Sequence, residues 1–322
     1  MSAKISQIEY FLPENVLSNA DLVAQYPEWN ALKVEKKVGI RNRHIALPEE
    51  TALDMAVKAA SPLFESVDPG IIDFILLCTQ SPDHLLPTSA CIAQEKLGLR
   101  TNIGALDFNL GCSGYIYGLA LAKSLIVSGM ASNVLLLTGE TYSKFIAETD
   151  VSNRSIFGDA ATASLIQHSD NDHIGEFVFG TDGRGADNLM VRNISAKNSF
   201  QCQNGTRPEL YMNGPEIFNF TIETIPLLVE EVCRKNSIDK ADIDYVVLHQ
   251  ANKYILEFLI NTIGLDPAKC HIDMMEYGNT VSNTIPIALK DAWDQGSIKS
   301  GDNVLLAGFG VGYSWGSTII RI

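Results

Sequence analysis

Short apolar runs alternate with stretches of helical periodicity along the whole chain. Runs of strand length lie at residues 74–78, 134–137, 245–248 and 304–307. Apolar positions recur at helical spacing in residues 51–64 and 216–234. Ser18 is a predicted helix N-cap and Gly129 a predicted helix stop. Because strands and helices alternate, the pattern predicts an α/β protein.

Two halves of the chain share matching segments in the same order. Residues 72–77 match residues 243–248, and residues 133–136 match residues 303–306 at nearly the same separation. Between these pairs Gly111-Cys112-Ser113 falls against Gly278-Asn279-Thr280, and each triplet opens a helical pattern. A pseudo-repeated α/β half is therefore predicted, with Cys112 and Asn279 at equivalent strand-to-helix turns that an approximate twofold axis could bring to one cleft.

The two halves are assigned to residues 1–170, with Cys112, and residues 171–322, with His249 and Asn279. No linker rich in proline, glycine and serine separates them. Residues 180–207 are loop-rich and come nearest to a boundary.

Composition narrows the classes of function. The 322 residues include 24 basic and 38 acidic side chains, a net charge of −14, which argues against a nucleic-acid partner. The six cysteines form no C-x-x-C pair, so neither a disulfide framework nor a metal site is predicted. No signal-like N-terminus or run of about 20 apolar residues occurs, so we expect a cytoplasmic protein outside the membrane.

Cys112 is the first candidate for catalytic chemistry. A strand pattern at residues 105–110 leads into Gly111-Cys112-Ser113-Gly114, and a helical pattern follows at residues 115–127. The unpaired N–H groups of a helix N-terminus favour a nearby thiolate, so we predict that the pKa of Cys112 falls and that it is a nucleophile. The alternative is a small buried apolar residue.

His249 ends the strand pattern at residues 245–248, where α/β folds display reactive side chains. A purely structural histidine is the alternative for His249 and our interpretation of the other histidines. With Cys112 and Asn279 it could form a site in which a thiolate accepts an acyl group and two neutral side chains stabilise an oxyanion. A Cys-His-Asn hydrolase, with histidine as the base, would use the same residues, and their spacing leaves both arrangements open.

The motifs around these residues resemble those of the β-ketoacyl-acyl-carrier-protein synthase III family, the initiating condensing enzymes of the thiolase superfamily. They are LDFNLGCSGYIYGLALA around Cys112, VVLHQANKYI around His249, EYGNTVSNTIPIAL around Asn279 and the terminal GFGVGYSWGS. Supporting segments are YFLPENVLSNADL, VGIRNRHIA, LLPTSACIAQEKLGL and FGDAATASLI, so the resemblance covers essentially the whole chain. A dinucleotide-binding loop at GFGVG is disfavoured because it would have to follow the first strand of a βαβ unit.

The resemblance implies a thiolase-like five-layered αβαβα fold, usually a homodimer, and a two-stage Claisen condensation in fatty-acid or related specialised biosynthesis. Cys112 would take an acyl group from a primer thioester, with the backbone N–H groups of Cys112 and Val311 holding the oxyanion. Malonyl-acyl carrier protein would then lose carbon dioxide while His249 and Asn279 donate hydrogen bonds to the enolate. Coenzyme A thioester and acyl carrier protein are the implied partners; neither a cofactor nor a metal is implied.

Departures from the family pattern lie around the substrate entrance. Trp29 is farther from Gly39 than usual, and Val151 stands where an arginine is expected. Candidate contacts to the thioester or its phosphates are Lys36, Lys37, Arg41 and Asn252.

Two further departures concern the carrier protein and the primer. Tyr254 replaces a docking arginine, and residues 216–231 are acidic where basic residues would meet an acidic carrier, which predicts weak docking. Leu86 replaces an aromatic residue that, in some members, reaches the partner subunit's acyl pocket. The smaller side chain would leave room for a longer or branched primer.

Two other functions remain open at this point. An acyltransferase of the same fold would use Cys112 but pass the acyl group to a hydroxyl or amine without decarboxylation. A non-catalytic subunit of a heteromeric synthase belongs to a different class, and the presence of all three reactive residues argues against it. Release of carbon dioxide and the mass of an acyl adduct separate these alternatives.

Overall fold

The structure is a computed structural model that describes residues 2–196, 200 and 206–322. Its strands are β1 (Ser2–Phe11), β2 (Val16–Ser18), β3 (Asn42–His44), β4 (Phe74–Cys78), β5 (Gly104–Phe108), β6 (Asn133–Glu140), β7 (Ala160–Ser169), β8 (Val178–Thr181), β9 (Leu189–Arg192), β10 (Glu209–Met212), β11 (Tyr245–Leu248), β12 (Asn303–Gly310) and β13 (Ser314–Arg321). Its helices are α1 (Asn19–Gln25), α2 (Ala31–Val38), α3 (Ala52–Ala60), α4 (Leu63–Ser66), α5 (Ser89–Lys96), α6 (Gly114–Val127), α7 (Val151–Arg154), α8 (Gly214–Lys235), α9 (Lys253–Ile263) and α10 (Thr284–Asp294).

Two sheets repeat the same strand order. The first runs β1-β7-β6-β4-β5 and the second β8-β13-β12-β11. The two sheets share one parallel pair, β4 with β6 and β11 with β12, and the next strand, β7 or β13, is antiparallel. The counterpart of β5 in the second sheet is a single parallel bridge between Val246 and Cys270. The segments matched in the sequence therefore occupy matching places in the two sheets.

The sheets and helices form five layers. Helices α3 and α5 cover the outer face of the first sheet with an apolar cluster that includes Leu53, Ala90 and Leu135. Helices α6 and α10 lie between the sheets, where Leu119 and Leu289 belong to one buried cluster. Helices α8 and α9 cover the outer face of the second sheet. The predicted thiolase-like αβαβα fold is confirmed.

Local predictions agree with the structure except where a proline intervenes. The Ser18 side chain accepts a hydrogen bond from the Asp21 N–H, and Gly129 has the positive φ of a helix stop, 75°. The helix predicted over residues 51–64 instead ends at Ala60, and α4 begins after Pro62. Proline cannot supply the N–H that a continuous helix needs at this point.

The stretch predicted to be loop-rich, residues 180–207, contains more regular structure than expected. Strand β9 lies within it and pairs antiparallel with β10, with Leu189 opposite Met212. Residues 197–199 and 201–205, including Cys202, lie outside the described residues. The division between residues 170 and 171 stays a prediction; it falls between β7 and β8, which belong to different sheets. None of the helices in the described part of the chain is long and apolar enough to cross a membrane.

Candidate active site

Cys112 lies between β5 and α6, packed against the end of β12. Only 6% of its surface is exposed. A Cβ atom at Gly310 would lie 3.0 Å from Cys112 Sγ, and one at Gly308 would lie 2.7 Å from the Cys112 carbonyl oxygen. Two glycines of the GFGVG motif are thus explained by the close approach of β12 to the cysteine, because a larger residue would collide there.

The pKa of Cys112 moves in the direction opposite to our prediction. Burial, and then the Glu140 carboxyl, raise the pKa of the thiol to about 12. The backbone N–H groups of Cys112 and Val311 hydrogen-bond the thiol and lower its pKa, but less strongly. Loss of solvent around the thiolate therefore outweighs the helix N-terminus. The expected thiolate near neutral pH is wrong, and the resting side chain is a thiol.

These same N–H groups both hydrogen-bond the Cys112 sulfur. One belongs to the Cys112 turn and the other, from Val311, to the turn between β12 and β13. Because both donate to the sulfur, a carbonyl carbon bound to that sulfur would bring its oxygen near both donors.

His249 follows β11 and is 2% exposed. Its Nδ1 lies 2.7 Å from the hydroxyl of Thr284, and its backbone N–H donates to the Ala307 carbonyl at 2.8 Å. Burial lowers the pKa of His249 to about 3, so the imidazole is neutral at physiological pH. No protein group in the described part of the chain hydrogen-bonds Nε2, so this atom is available to a ligand.

Asn279 is held with its amide nitrogen free. Its side-chain oxygen accepts from the Val281 N–H at 2.9 Å, and its backbone N–H donates to the Ile156 carbonyl at 2.8 Å. Among the described residues Nδ2 has no hydrogen-bond acceptor, and none of the bonds joins Asn279 to His249. The hydrolase arrangement, in which asparagine orients the histidine, is therefore absent, because Thr284 takes that position.

Contacts around the cysteine and the asparagine bring the separate motifs together. Cys112, Phe157 and Val281 belong to one buried cluster, and Phe157 forms a parallel bridge with Asn279. The His249 ring packs edge-on against Phe309 of β12, at a centroid distance of 5.6 Å, beside the glycines that contact Cys112. The end of β12 is thus a common neighbour of the cysteine and the histidine.

A cavity of about 220 Å³ lies next to this cluster. Its lining is mostly apolar and comprises Gln80, Asn109, Tyr142, Phe145, Leu189, Met190, Val191, Leu210 and Val311. Tyr142, Leu189 and Leu210 also share the buried cluster of Cys112. An acyl chain attached to the sulfur would find apolar surface here. Nowhere in the described residues do three or more His, Cys, Asp or Glu side chains form a group that could hold a metal ion.

The predicted entrance residues have different surroundings. Lys36 and Lys37 are exposed on α2, and Lys37 Nζ lies 5.6 Å from the centre of the Tyr254 ring. Arg41 is paired with Glu35 at 3.0 Å, so it is less available to a phosphate. Asn252 caps α9 by accepting from the Ile255 N–H.

Leu86 lies on the surface, with 82% of its area exposed. It does not line the 220 Å³ cavity next to the Cys112 cluster. Any role in an acyl pocket would therefore depend on a second copy of the chain.

Several residues of the site escaped the sequence analysis. Thr284 contacts His249 from 35 positions away, and Glu140 contacts Ser282 from 142 positions away. Neither pair forms a local pattern. The only sequence signal was the polar run Asn279 to Thr284 opening an otherwise apolar helix.

Comparisons with known proteins agree on one family. A family model described as 3-oxoacyl-[acyl-carrier-protein (ACP)] synthase III matches residues 106–183, and the model of its C-terminal part matches residues 233–322. A β-ketoacyl-[acyl-carrier-protein] synthase III of Campylobacter concisus is 36% identical over 99% of this chain and 96% of that protein. A crystal structure of a 3-oxoacyl-(acyl-carrier-protein) synthase III superimposes with a TM-score of 0.97 at 43% identity over 100% of both chains. A crystal structure of a 3-oxoacyl-(acyl-carrier protein) synthase from Burkholderia xenovorans has a TM-score of 0.93 at 33% identity, covering 100% of this chain and 94% of that one.

Proposed function

The chain belongs to the β-ketoacyl-acyl-carrier-protein synthase III family, and we propose that Cys112, His249 and Asn279 carry out its reaction. That reaction is the decarboxylative condensation of an acyl primer thioester with malonyl-acyl carrier protein. It yields a 3-oxoacyl-acyl carrier protein and carbon dioxide, in fatty-acid synthesis or a related specialised pathway.

In the first stage Cys112 becomes acylated. Its sulfur bonds to the primer carbonyl carbon, the bond to the coenzyme A sulfur breaks, and the thiol proton leaves with coenzyme A. Because the resting side chain is a thiol, this proton must move as the new bond forms. The N–H groups of Cys112 and Val311 would stabilise the tetrahedral oxyanion. The apolar cavity beside the sulfur would hold the acyl chain away from water.

In the second stage the malonyl carboxylate leaves as carbon dioxide, and negative charge develops on the thioester oxygen. His249 Nε2 and Asn279 Nδ2 would donate hydrogen bonds to that oxygen. The carbanion then attacks the acyl carbon, and the Cys112 sulfur leaves and recovers a proton. For His249 this requires the proton on Nε2, and therefore a hydrogen bond that Nδ1 accepts from the Thr284 hydroxyl, 2.7 Å away. In the structure that hydroxyl donates to the Val281 carbonyl at 3.1 Å, so it must turn toward Nδ1 for this step.

One observation carries this proposal: both side chains are neutral, and in the described part of the chain neither His249 Nε2 nor Asn279 Nδ2 has a protein hydrogen-bond partner. None of the hydrogen bonds among the described residues joins either side chain to Cys112. His249 is neutral because it is buried, and Asn279 uses only its oxygen within the protein. An acyltransferase acting on a hydroxyl or amine would need a base for its acceptor. A histidine whose pKa is held near 3 is poorly matched to that role.

The test is carbon dioxide release from malonyl-acyl carrier protein with the acyl-loaded enzyme. Release with formation of a 3-oxoacyl product is expected. Acyl transfer to an added alcohol or amine without carbon dioxide would favour the acyltransferase, and a protein that never forms an acyl adduct would be a non-catalytic subunit.

The proposal includes a homodimer in the cytoplasm. Strand β5 is the edge of the first sheet, and Leu106 on it is 46% exposed. Leu85 and Leu86, at 70% and 82% exposure, lie on a loop before α5, the helix that packs on β5. An edge strand with exposed leucines is a suitable pairing surface for a second copy, which would also offer Leu86 to the neighbouring acyl cavity. The described cysteines are free thiols, which supports a reducing compartment.

Sedimentation of the purified protein tests the dimer. A dimer that dissociates on Leu106→Arg is expected, whereas a monomeric wild-type protein would overturn it. Leu86→Phe should narrow the neighbouring acyl cavity and slow loading of primers longer than acetyl. Unchanged primer selectivity would remove Leu86 from the pocket.

Coenzyme A thioesters and acyl carrier protein are the substrates that the family uses. For this chain we place the entrance beside Lys36, Lys37 and Asn252, since all three lie near the start of α9 or on the facing helix α2. The acidic residues of α8 and the neutral Tyr254 favour slow association with an acidic carrier.

A further inference from the structure

Glu140 is a buried acid that the proposed reaction does not yet use. It ends β6 and has no exposed surface. In the described part of the chain no lysine, arginine or histidine forms an ion pair with it. Its carboxyl accepts instead from the Gln80 N–H at 3.1 Å, the Ser81 hydroxyl at 3.0 Å and the Ser282 hydroxyl at 3.2 Å.

These hydrogen bonds join three segments that surround the reacting groups. Gln80 and Ser81 follow β4, and Thr141 next to Glu140 donates its N–H to the Ser81 hydroxyl at 3.2 Å. Ser282 lies three residues after Asn279, in the short 3-10 turn Val281–Asn283 that leads into α10. Glu140 therefore connects the turn that carries Asn279 to the ends of two strands of the opposite sheet.

The rest of this turn is tied down in the same way. Asn283 accepts from the Thr138 hydroxyl at 2.5 Å and donates to the Ala160 carbonyl at 3.0 Å. Thr284 holds His249. The Ser282 and Thr284 connections each involve an ionisable group. Burial lowers the pKa of His249 to about 3, so of these two the connection to Glu140 is the one that can change near neutral pH.

The charge of Glu140 changes the pKa of several groups that face it. Cys78, Cys112 and Tyr142 all interact with its carboxylate, which raises the pKa of each of them. Asp159 is the other acid that acts on Glu140. Burial raises the pKa of Glu140 itself to about 8, only partly offset by its hydrogen bonds. At neutral pH the Glu140 carboxyl is thus mostly uncharged, and it gains a negative charge as the pH rises through this value.

We propose that Glu140 is a positioning residue for both reacting groups: as a neutral acid it holds Ser282 and the Asn279 turn, and as an anion it opposes the Cys112 thiolate. While Glu140 is charged, ionisation of the Cys112 thiol is therefore disfavoured. The inference rests on the proposed roles of Cys112 and Asn279, and it adds a residue to them.

The first experiment measures alkylation of Cys112 by iodoacetamide as a function of pH, with the adduct mapped by peptide mass. Glu140→Gln keeps the shape and cannot ionise, and like a protonated acid it offers one acceptor oxygen and one donor group. Its alkylation midpoint should lie about one pH unit or more below that of the wild type, because a like charge has been removed. Asp291→Asn is the matched control, a buried acid on α10 that accepts from the Tyr10 hydroxyl at 3.0 Å; its midpoint should match the wild type.

A midpoint in Glu140→Gln that is unchanged would overturn the electrostatic role. A midpoint that rises, or slower alkylation at neutral pH, would show that Glu140 is instead a base for the thiol. This measurement needs no substrate, so it stands even if the condensation reaction proved to be assigned wrongly.

The second experiment tests the positioning role with acyl-loaded enzyme and malonyl-acyl carrier protein. Ser282→Ala removes one hydroxyl from the hydrogen-bonded connection between Glu140 and the Asn279 turn. We expect this variant to fold even if Glu140→Ala does not. It should lower kcat for carbon dioxide release about tenfold with little change in acyl loading, whereas Glu140→Gln, which can still hydrogen-bond Ser282, should lower kcat less than Ser282→Ala does. Wild-type kcat in Ser282→Ala, or equal losses in loading and decarboxylation, would overturn the positioning role. A wild-type enzyme that loads acyl groups but releases no carbon dioxide would contradict the proposed function instead.

Discussion

The Cys112 turn and the Asn279 turn occupy matching places in the two halves, yet different forces hold them. Cys112 is fixed by packing: its sulfur contacts the backbone of β12, and apolar side chains surround it. Asn279 is fixed by hydrogen bonds. Its side-chain oxygen accepts from the Val281 N–H, and three residues of the following turn and helix start form further hydrogen bonds. Those three are Ser282, Asn283 and Thr284.

The difference corresponds to the two chemical tasks. A nucleophile that carries an acyl group needs a dry surrounding and backbone donors, and non-directional packing supplies the first. Side chains that stabilise an enolate must be aimed, and hydrogen bonds are directional. The same strand-to-helix turn occurs in both halves. In one half it carries the residue proposed to bind the acyl group, and in the other it carries a side chain proposed to orient the enolate.

The comparison between the Cys112 and Asn279 turns fails if Cys112 is not the residue that carries the acyl group. Cys112→Ala should abolish acyl-enzyme formation with the fold intact, because no neighbouring group replaces the thiol. Intact-protein mass after incubation with acyl-coenzyme A measures this. Cys91→Ala, at an exposed cysteine, is the control and should load normally. An adduct that persists in Cys112→Ala, or that maps to Cys78 or Cys270, would contradict the assignment.

Removal of the orienting side chains should leave the first stage and damage the second. His249→Ala and Asn279→Ala should each accept the acyl group but release carbon dioxide from malonyl-acyl carrier protein about 10²-fold more slowly, the usual scale for losing an oxyanion donor. His168→Ala, at an exposed histidine, should behave as wild type. Complete failure of His249→Ala to load would mean that the imidazole serves as base for Cys112.

Much of this comparison could be predicted from the sequence, because it depends on local patterns. Strand length and helical periodicity placed Cys112, His249 and Asn279 at element ends, and the repeat placed two of them at equivalent turns. The pKa of Cys112 could not be predicted in this way. The adjacent helix is visible in the sequence, but burial and the Glu140 carboxyl, which dominate, follow from tertiary packing.

The same limit explains the missed partners. Thr284 and Ser282 look like ordinary polar residues at a helix start, and their roles come from His249 and Glu140 on other strands. A long-range hydrogen bond leaves no periodic signal in either segment.

A substitution at Gly310 tests whether close packing against β12 confines Cys112. Gly310→Ala would place a Cβ 3.0 Å from Cys112 Sγ and should cost about 1 to 3 kcal/mol of unfolding free energy, the usual range for overpacking. Gly183→Ala is the control, since its Cβ would meet nothing within 4 Å. Urea unfolding measures both. Equal stability of the two variants would show that β12 does not confine the cysteine.

The hydrogen-bonding side is sharpened at Thr284. Thr284→Val removes the hydroxyl that hydrogen-bonds His249 Nδ1 and should slow decarboxylation about tenfold, equivalent to about 1.4 kcal/mol. Thr284→Ser restores the hydroxyl and should recover most of the rate. Acyl loading should be equal in both variants. Were Thr284→Val to decarboxylate like the wild type, another group would have to orient the imidazole.

The smallest effect is expected at the entrance, outside both turns. Tyr254 is 47% exposed beside Lys37, where an arginine would add attraction for an acidic carrier protein. Tyr254→Arg should raise kcat/KM for malonyl-acyl carrier protein only a few-fold at low salt, with kcat unchanged, because added charge acts on association and is screened by ions. Met130→Arg adds the same charge at the far end of α6 from Cys112, on a residue that is 69% exposed, and should have little effect. An equal gain in both variants would mean that net charge governs association, and a gain that survives high salt would mean that Tyr254 acts by contact.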